Sequence, residues 1–249
     1  MPLSGAYDFG TETEFWTPAG AVFACLAIIL GVFYASAGYR CMRFSLWAAA
    51  FIAVFSSIFL GLSGANQDLW YWDLLAGALP GALVASVLLL WFLPLLYFVL
   101  GFLCGFVVVA QLVGGFLPLM WLPSYFVLML WSLSLLAGGV YGLLSLYLSA
   151  QQSMHQKYVV ILNTSVLGGF LFVVGMDFFS QDRYAAVIAE MFKANVVLID
   201  PWLVSLSFTM VWLMIAVFGF GLQRMVISSR TFHYRPRALK TEDSPPTEL

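Results

Sequence analysis

Between Leu74 and Gln156 the chain runs for 83 residues without one aspartate, glutamate, lysine or arginine. Soluble domains carry about 25% charged residues, and a core made of one such run would leave much of it facing water. Lipid removes the difficulty. A helix crossing a bilayer needs about 20 predominantly apolar residues, so this run is too long for two crossings with short turns and fits three. The rest of the chain has the same character: of 249 residues, 63% are hydrophobic and only 9% charged. In hydrocarbon every backbone N–H and C=O must be satisfied inside the segment, which makes α-helices the expected spanning element. The expected fold class is all-α, a multi-pass membrane protein.

Prolines and charges divide the chain. Pro94, and Pro118 with Pro123, break the uncharged run, because proline disrupts a helix or starts one at its first turn. Asp200-Pro201 offers a cap and a first-turn proline for the last span. Seven spans are expected, near residues 19–37, 44–64, 74–92, 95–117, 123–148, 158–175 and 202–225, within a membrane domain of residues 19–227. An outer segment, 1–18, precedes it and a disordered cytoplasmic tail, 228–249, follows. Residues 180–195 alternate apolar and charged positions at helical spacing, which suggests an amphipathic helix in the outer loop.

Arg40 and Arg43, between the first two spans, orient the chain, since short loops rich in lysine and arginine stay cytoplasmic. Seven spans then put the amino terminus outside and the carboxyl terminus inside. Eight of the ten basic residues fall inside and two, Arg183 and Lys193, outside. Trp16, Trp70, Trp72, Trp121 and Trp202 fall at the expected outer boundaries, where amphipathic rings settle. The amino terminus carries Asp8, Glu12 and Glu14 in place of the basic region of a signal peptide, so the first span is expected to persist in the mature protein. The protein belongs in the plasma membrane or an endomembrane.

Four short motifs recur in a telling order: Gly38-Tyr39-Arg40-Cys41 ending the first span, Gly101 and Gly105 in the fourth, Met176-Asp177-Phe178-Phe179 ending the sixth, and Gln223-Arg224 ending the seventh. In order and spacing they resemble the transmembrane protein 198 family and its TM7S3/TM198-like domain, over roughly residues 20 to 227. The resemblance implies a multi-pass protein without established catalytic activity. Vertebrate members are regarded as membrane scaffolds linked to Wnt receptor phosphorylation, so the resemblance implies a scaffold or adaptor that organises signalling receptors or kinases.

Glycine pairs four residues apart, Gly77 with Gly81, Gly101 with Gly105 and Gly138 with Gly142, each lie on one helix face where backbones can approach closely. Packing inside a single bundle is the expected use, and a homodimer seam the alternative. Gln111 and Asn163 are the clearest polar residues inside spans. Such residues serve a solute pathway or, more commonly, hydrogen-bond a neighbouring helix; Asp177 is expected to reach interfacial water. Cys25, Cys41 and Cys104 offer no disulfide framework, and Cys41, beside arginines, is a candidate for acylation.

In the tail, Arg230, Arg235, Arg237 and Lys240 should contact anionic lipid, Ser244 has the setting of a phosphosite, and the ending Thr247-Glu248-Leu249 resembles a ligand for PDZ domains. A cytosolic kinase or adaptor is the expected partner through this tail, and nucleic acid is not expected. The sequence pairs no nucleophile with a base, gathers no metal set and forms no phosphate-binding glycine loop, so neither catalysis nor a cofactor is expected. A small-solute transporter or channel is the alternative function. A seven-helix receptor ranks last: Asp182-Arg183-Tyr184 falls on the outer side, and the seventh span lacks an Asn-Pro-x-x-Tyr pattern.

Overall fold

The computed structural model describes residues 18–65, 71–116, 124–150, 154–180 and 202–229. Those residues form seven helices: α1 Pro18–Ala37, α2 Met42–Ala65, α3 Tyr71–Leu89, α4 Leu93–Phe116, α5 Ser124–Ala150, α6 Met154–Ser180 and α7 Trp202–Ser229. The amino-terminal segment, the amphipathic loop after Ser180, and the tail with Ser244, Thr247 and Leu249 lie outside the described residues.

Proline starts α1 at Pro18 and sits in the first turn of α4 as Pro94, positions whose N–H has no helical acceptor anyway. Between α3 and α4 the N–H groups of Leu90, Trp91 and Phe92 each donate three residues back, to Val87, Leu88 and Leu89. This tightened last turn satisfies carbonyls that the α-helix leaves open. It ends α3 at Leu89, short of the expected residue 92. Helix α6, conversely, exceeds its expected range of 158–175 at both ends. Gln156 and Asp177 are polar enough to mark a hydropathy boundary, yet backbone hydrogen bonding tolerates them, so the helix continues through both.

Four helices are long and apolar enough to cross a membrane, over Leu93–Leu112, Ser132–Ala150, Gln156–Ser180 and Leu206–Val226; the apolar portions of α1 to α3 within the described residues are shorter. Helix α6 is central: 61% of its apolar window is buried, against 28% in α5 and in α7. It packs most closely against α1 and α7 and also meets α4 and α5.

The α1–α6 seam is built on small residues. A Cβ added to Gly168 would lie 2.5 Å from Ala35 N, and one added to Gly31 would lie 2.6 Å from Phe172 N, both in the facing backbone. Gly175 would meet Ala24 O in the same way at 2.7 Å. Helices in lipid gain little from burying leucine against leucine, because the tails are equally apolar, so dispersion across such close backbone contact holds them together. Helices α4 and α5 use a different fit. Phe98, Phe102 and Phe106 stack along α4 with centroids 6.2 and 6.4 Å apart, and the rings of Phe98 and Phe102 lie against Gly142 and Gly138 of α5.

Replacing Gly168 by leucine should destabilise the protein by about 1–3 kcal/mol or more, as overpacking a close contact does. Gly139, where an added Cβ would meet nothing within 4 Å, should accept alanine with no loss. Thermal unfolding of both variants in detergent checks this, and equal melting temperatures would contradict the seam.

Candidate functional site

At the turn joining α1 to α2, residues Gly38–Cys41, three helices deliver polar groups to one point. Gln223 reaches in from α7. Its Nε2 donates to the carbonyls of Tyr34 and Ala35 at 2.8 and 3.0 Å, and its Oε1 accepts from Tyr39 N–H at 3.0 Å. In a continuing helix Tyr39 N–H would donate to Ala35 O, four residues back. The Gln223 carboxamide stands between these two groups and serves both, so α1 can end inside the protein without an orphaned backbone group.

The surrounding residues hold the turn in shape. The Ser45 hydroxyl, one turn into α2, donates to Gly38 O at 2.8 Å, and the Tyr34 hydroxyl donates to Ser45 O. Thr164 of α6 donates to its own helix at Val160 O, 2.9 Å, while presenting Oγ1 at 3.3 Å from Gln223 Nε2. Gly38 is pressed against it: an added Cβ would fall 2.6 Å from Thr164 Cβ. Tyr34, Ser45, Thr164 and Gln223 are all 2% exposed or less. Tyr39 is half-buried, and this desolvation, with the nearby Tyr97 phenol, lifts its phenol above the ordinary tyrosine value.

The motifs Gly38-Tyr39-Arg40-Cys41 and Gln223-Arg224 therefore meet, although 184 residues separate Tyr39 from Gln223. Each splits into a buried part that makes the contact and an exposed part, Arg40, Cys41 and Arg224, that faces outward. Asp177 is at the other end of α6 and only 3% exposed, so it is enclosed by protein where interfacial water was expected.

Gly101 and Gly105 face Gly142 and Gly138 across the α4–α5 seam, with added Cβ atoms 3.1 and 3.2 Å from the partner Cα atoms. Gly77 and Gly81 meet only the ends of Leu62 and Ile58 side chains, at 3.3 and 3.1 Å, a looser contact with α2. Asn163 is fully buried and donates from Nδ2 to Ser145 Oγ at 3.3 Å, while its Oδ1 has no partner among the described residues. Gln111 is buried too, but not with Asn163. It lies ten residues, about 15 Å, along α4 from Gly101, which abuts Ser145. Cys104 is buried, whereas Cys25 and Cys41 are exposed. No cluster of three metal-ligating side chains occurs among the described residues.

Composition and spacing did not reveal Tyr34, Ser45 and Thr164 as parts of this site, because each is an ordinary residue of an apolar helix. Gly38 is marked by its motif, but the α1–α6 seam as a whole is not, because Gly31 with Gly38, and Gly168 with Gly175, repeat every seven residues, not every four. Two helical turns return to nearly the same face, so a search at that spacing would have found the seam.

Gln223→Leu strands Tyr39 N–H in an apolar surrounding and should cost about 1–3 kcal/mol. Gln223→Glu, ionised, can still accept from Tyr39 but cannot donate to the two α1 carbonyls, and should also destabilise. Thr164→Val should cost less, since the hydroxyl mainly serves its own helix. Melting temperatures of the three variants in detergent provide the test; a neutral Gln223→Leu would remove Gln223 from the role assigned to it.

A family model described as the TM7S3/TM198-like domain matches residues 24–224. No curated protein and no solved structure matches the chain.

Proposed function

The chain belongs to the TM7S3/TM198-like domain family, and from that premise we propose that this integral membrane protein is a scaffold or adaptor whose seven helices all cross the bilayer. The observation that carries the reading is the Gln223 bridge. It locks the end of α7 to the α1–α2 turn through buried hydrogen bonds while Arg40, Cys41, Arg43 and Arg224 remain exposed around it. A rigid patch of cationic side chains beside the start of the tail suits the recruitment of cytosolic proteins. A kinase or adaptor is the partner class, and the acidic end of the tail offers it Ser244 and Thr247-Glu248-Leu249. The amino terminus is outside and the tail cytoplasmic in this proposal; the gathering of Arg40, Arg43, Lys157 and Arg224 at helix ends on one side supports it.

Orientation has a native reporter. Cys41 is exposed in the turn. A membrane-impermeant maleimide should spare it in intact cells and label it after permeabilisation. Labelling in intact cells would reverse the topology.

Function is tested by proximity labelling from the carboxyl terminus, comparing the full chain with one ending at Ser228. Kinases or receptors enriched only by the full chain support the scaffold reading, whereas identical neighbour lists count against it. One observation favours the transport reading: Oδ1 of Asn163, a buried acceptor inside the bundle, has no partner among the described residues. If Asn163→Leu or Gln111→Leu abolishes function and removal of residues 229–249 does not, transport is the better account.

A further inference from the structure

A cleft of about 530 Å³ opens between the first turns of α2 and the α3–α4 turn. Its walls are Leu46, Leu90, Leu93 and Leu96, with Arg43 and Trp47 beside them. Leu46 and Leu96 belong to the buried core, whereas Leu93 is 40% exposed, so the cleft leads from the bundle interior to its outer surface. At its rim Trp91 and Phe92 are 85% and 65% exposed. Trp91 lies in the turn where the chain reverses between α3 and α4, and tryptophan settles at the level of lipid headgroups, which places the cleft at the membrane interface.

Its charge is unbalanced. No aspartate or glutamate lies between Glu14 and Asp68 or between Asp73 and Asp177. Asp73 opens α3 and is 16 residues, about 24 Å, from the end of that helix at Leu89. Asp177 lies 21 residues, about 31 Å, along α6 from Gln156, whose side chain bonds Tyr97 near the base of α4. Among the described residues nothing neutralises Arg43, and the positive end of the α2 dipole adds to its field.

These features narrow the occupant. An inorganic anion would find one guanidinium and otherwise apolar walls, a poor replacement for its hydration. A neutral acyl chain would fill the leucine-lined part but leave Arg43 unmatched. An anionic phospholipid satisfies both, with its phosphate on the guanidinium, which pairs with such groups through two parallel hydrogen bonds, and an acyl chain along Leu46, Leu93 and Leu96. We propose that this cleft is a binding site for one anionic phospholipid, drawn from the leaflet beside the α1–α2 turn. That leaflet is the cytoplasmic one in the topology proposed above, but the chemistry of the site does not depend on that orientation.

Native mass spectrometry of the full chain in neutral detergent tests it, with phosphatidylglycerol, phosphatidylcholine or inorganic phosphate added. Phosphatidylglycerol should be retained about fivefold better than phosphatidylcholine, as expected for one basic side chain near a lipid headgroup. Arg43→Gln should erase that preference. Lys157→Gln, an exposed cation on α6 outside the cleft, should not. Leu93→Trp, which fills the cleft, should lower retention of both lipids. The proposal is overturned if Arg43→Gln keeps the preference, if Lys157→Gln erases it equally, or if inorganic phosphate binds as well as the lipid. Should Arg43→Gln fail to fold, Leu93→Trp decides: undiminished lipid retention would sink the site.

Discussion

A backbone group buried in protein without a partner costs about 1–3 kcal/mol, because no water can take its place. Much of the arrangement at the α1–α2 turn follows from that penalty. Helix α1 ends where α6 and α7 crowd it, so the groups released at its end must be met by side chains. Gln223 meets two of them, Ala35 O and Tyr39 N–H, with one carboxamide. A planar amide offers two N–H donors and one carbonyl acceptor, so Nε2 can donate to Tyr34 O and Ala35 O while Oε1 accepts from Tyr39 N–H. Serine or threonine at 223 would be too short to reach from α7, and glutamate would supply acceptors where donors are required.

That bridge specifies more than it stabilises. Interhelical hydrogen bonds in membranes average only about 0.6 kcal/mol, so Gln223 adds little energy by itself. Sliding α7 by one residue against α1, however, would leave several buried groups unmet at once, which sets the register. Register in turn allows the close contact elsewhere: Gly219 of α7 lies against Ala35 O, and Gly169 of α6 against Trp212 O. Trp212 completes the linkage by donating from its indole to Val166 O at 3.0 Å. Small residues bring the backbones together, and a few polar groups decide at which height.

The helical framework was legible because it rests on local chemistry. Hydropathy over about 20 residues, Pro94 and the Arg40–Arg43 turn locate helices whether or not neighbours are known, and helix and apolar run differ in length most in α6, where polar Gln156 and Asp177 continue the helix. The site was legible only in part. Gly38, Tyr39 and Gln223 stood out in the resemblance to a family, but that Gln223 caps the turn depends on α7 returning beside α1, which no local pattern encodes. Asp177, 3% exposed, lies two residues past Gly175, which abuts Ala24 and Ile28 of α1, and no local pattern encodes that approach either.

The two functional readings place opposite demands on this packing. Alternating access needs one group of helices to rock against another, and helices that slide must be able to exchange contacts. The α1–α6 seam resists exchange: Gly31, Gly168 and Gly175 sit so close to the facing backbone that an added Cβ would fall 2.5–2.7 Å from it, and sliding either helix would bring larger side chains into that space. Helix α7 is tied to the same pair by Gln223 and Trp212. Of the bundle, α1, α6 and α7 thus behave as one body, and any moving part would have to come from α2 to α5, where Gly77 and Gly81 meet flexible side-chain ends. Arg40 and Arg224 are carried by the fixed body, and Ser45 ties the first turn of α2 to it at Gly38 O. A surface held still in this way is of use to a protein that docks others, and it is the physical ground for preferring the scaffold over the transporter.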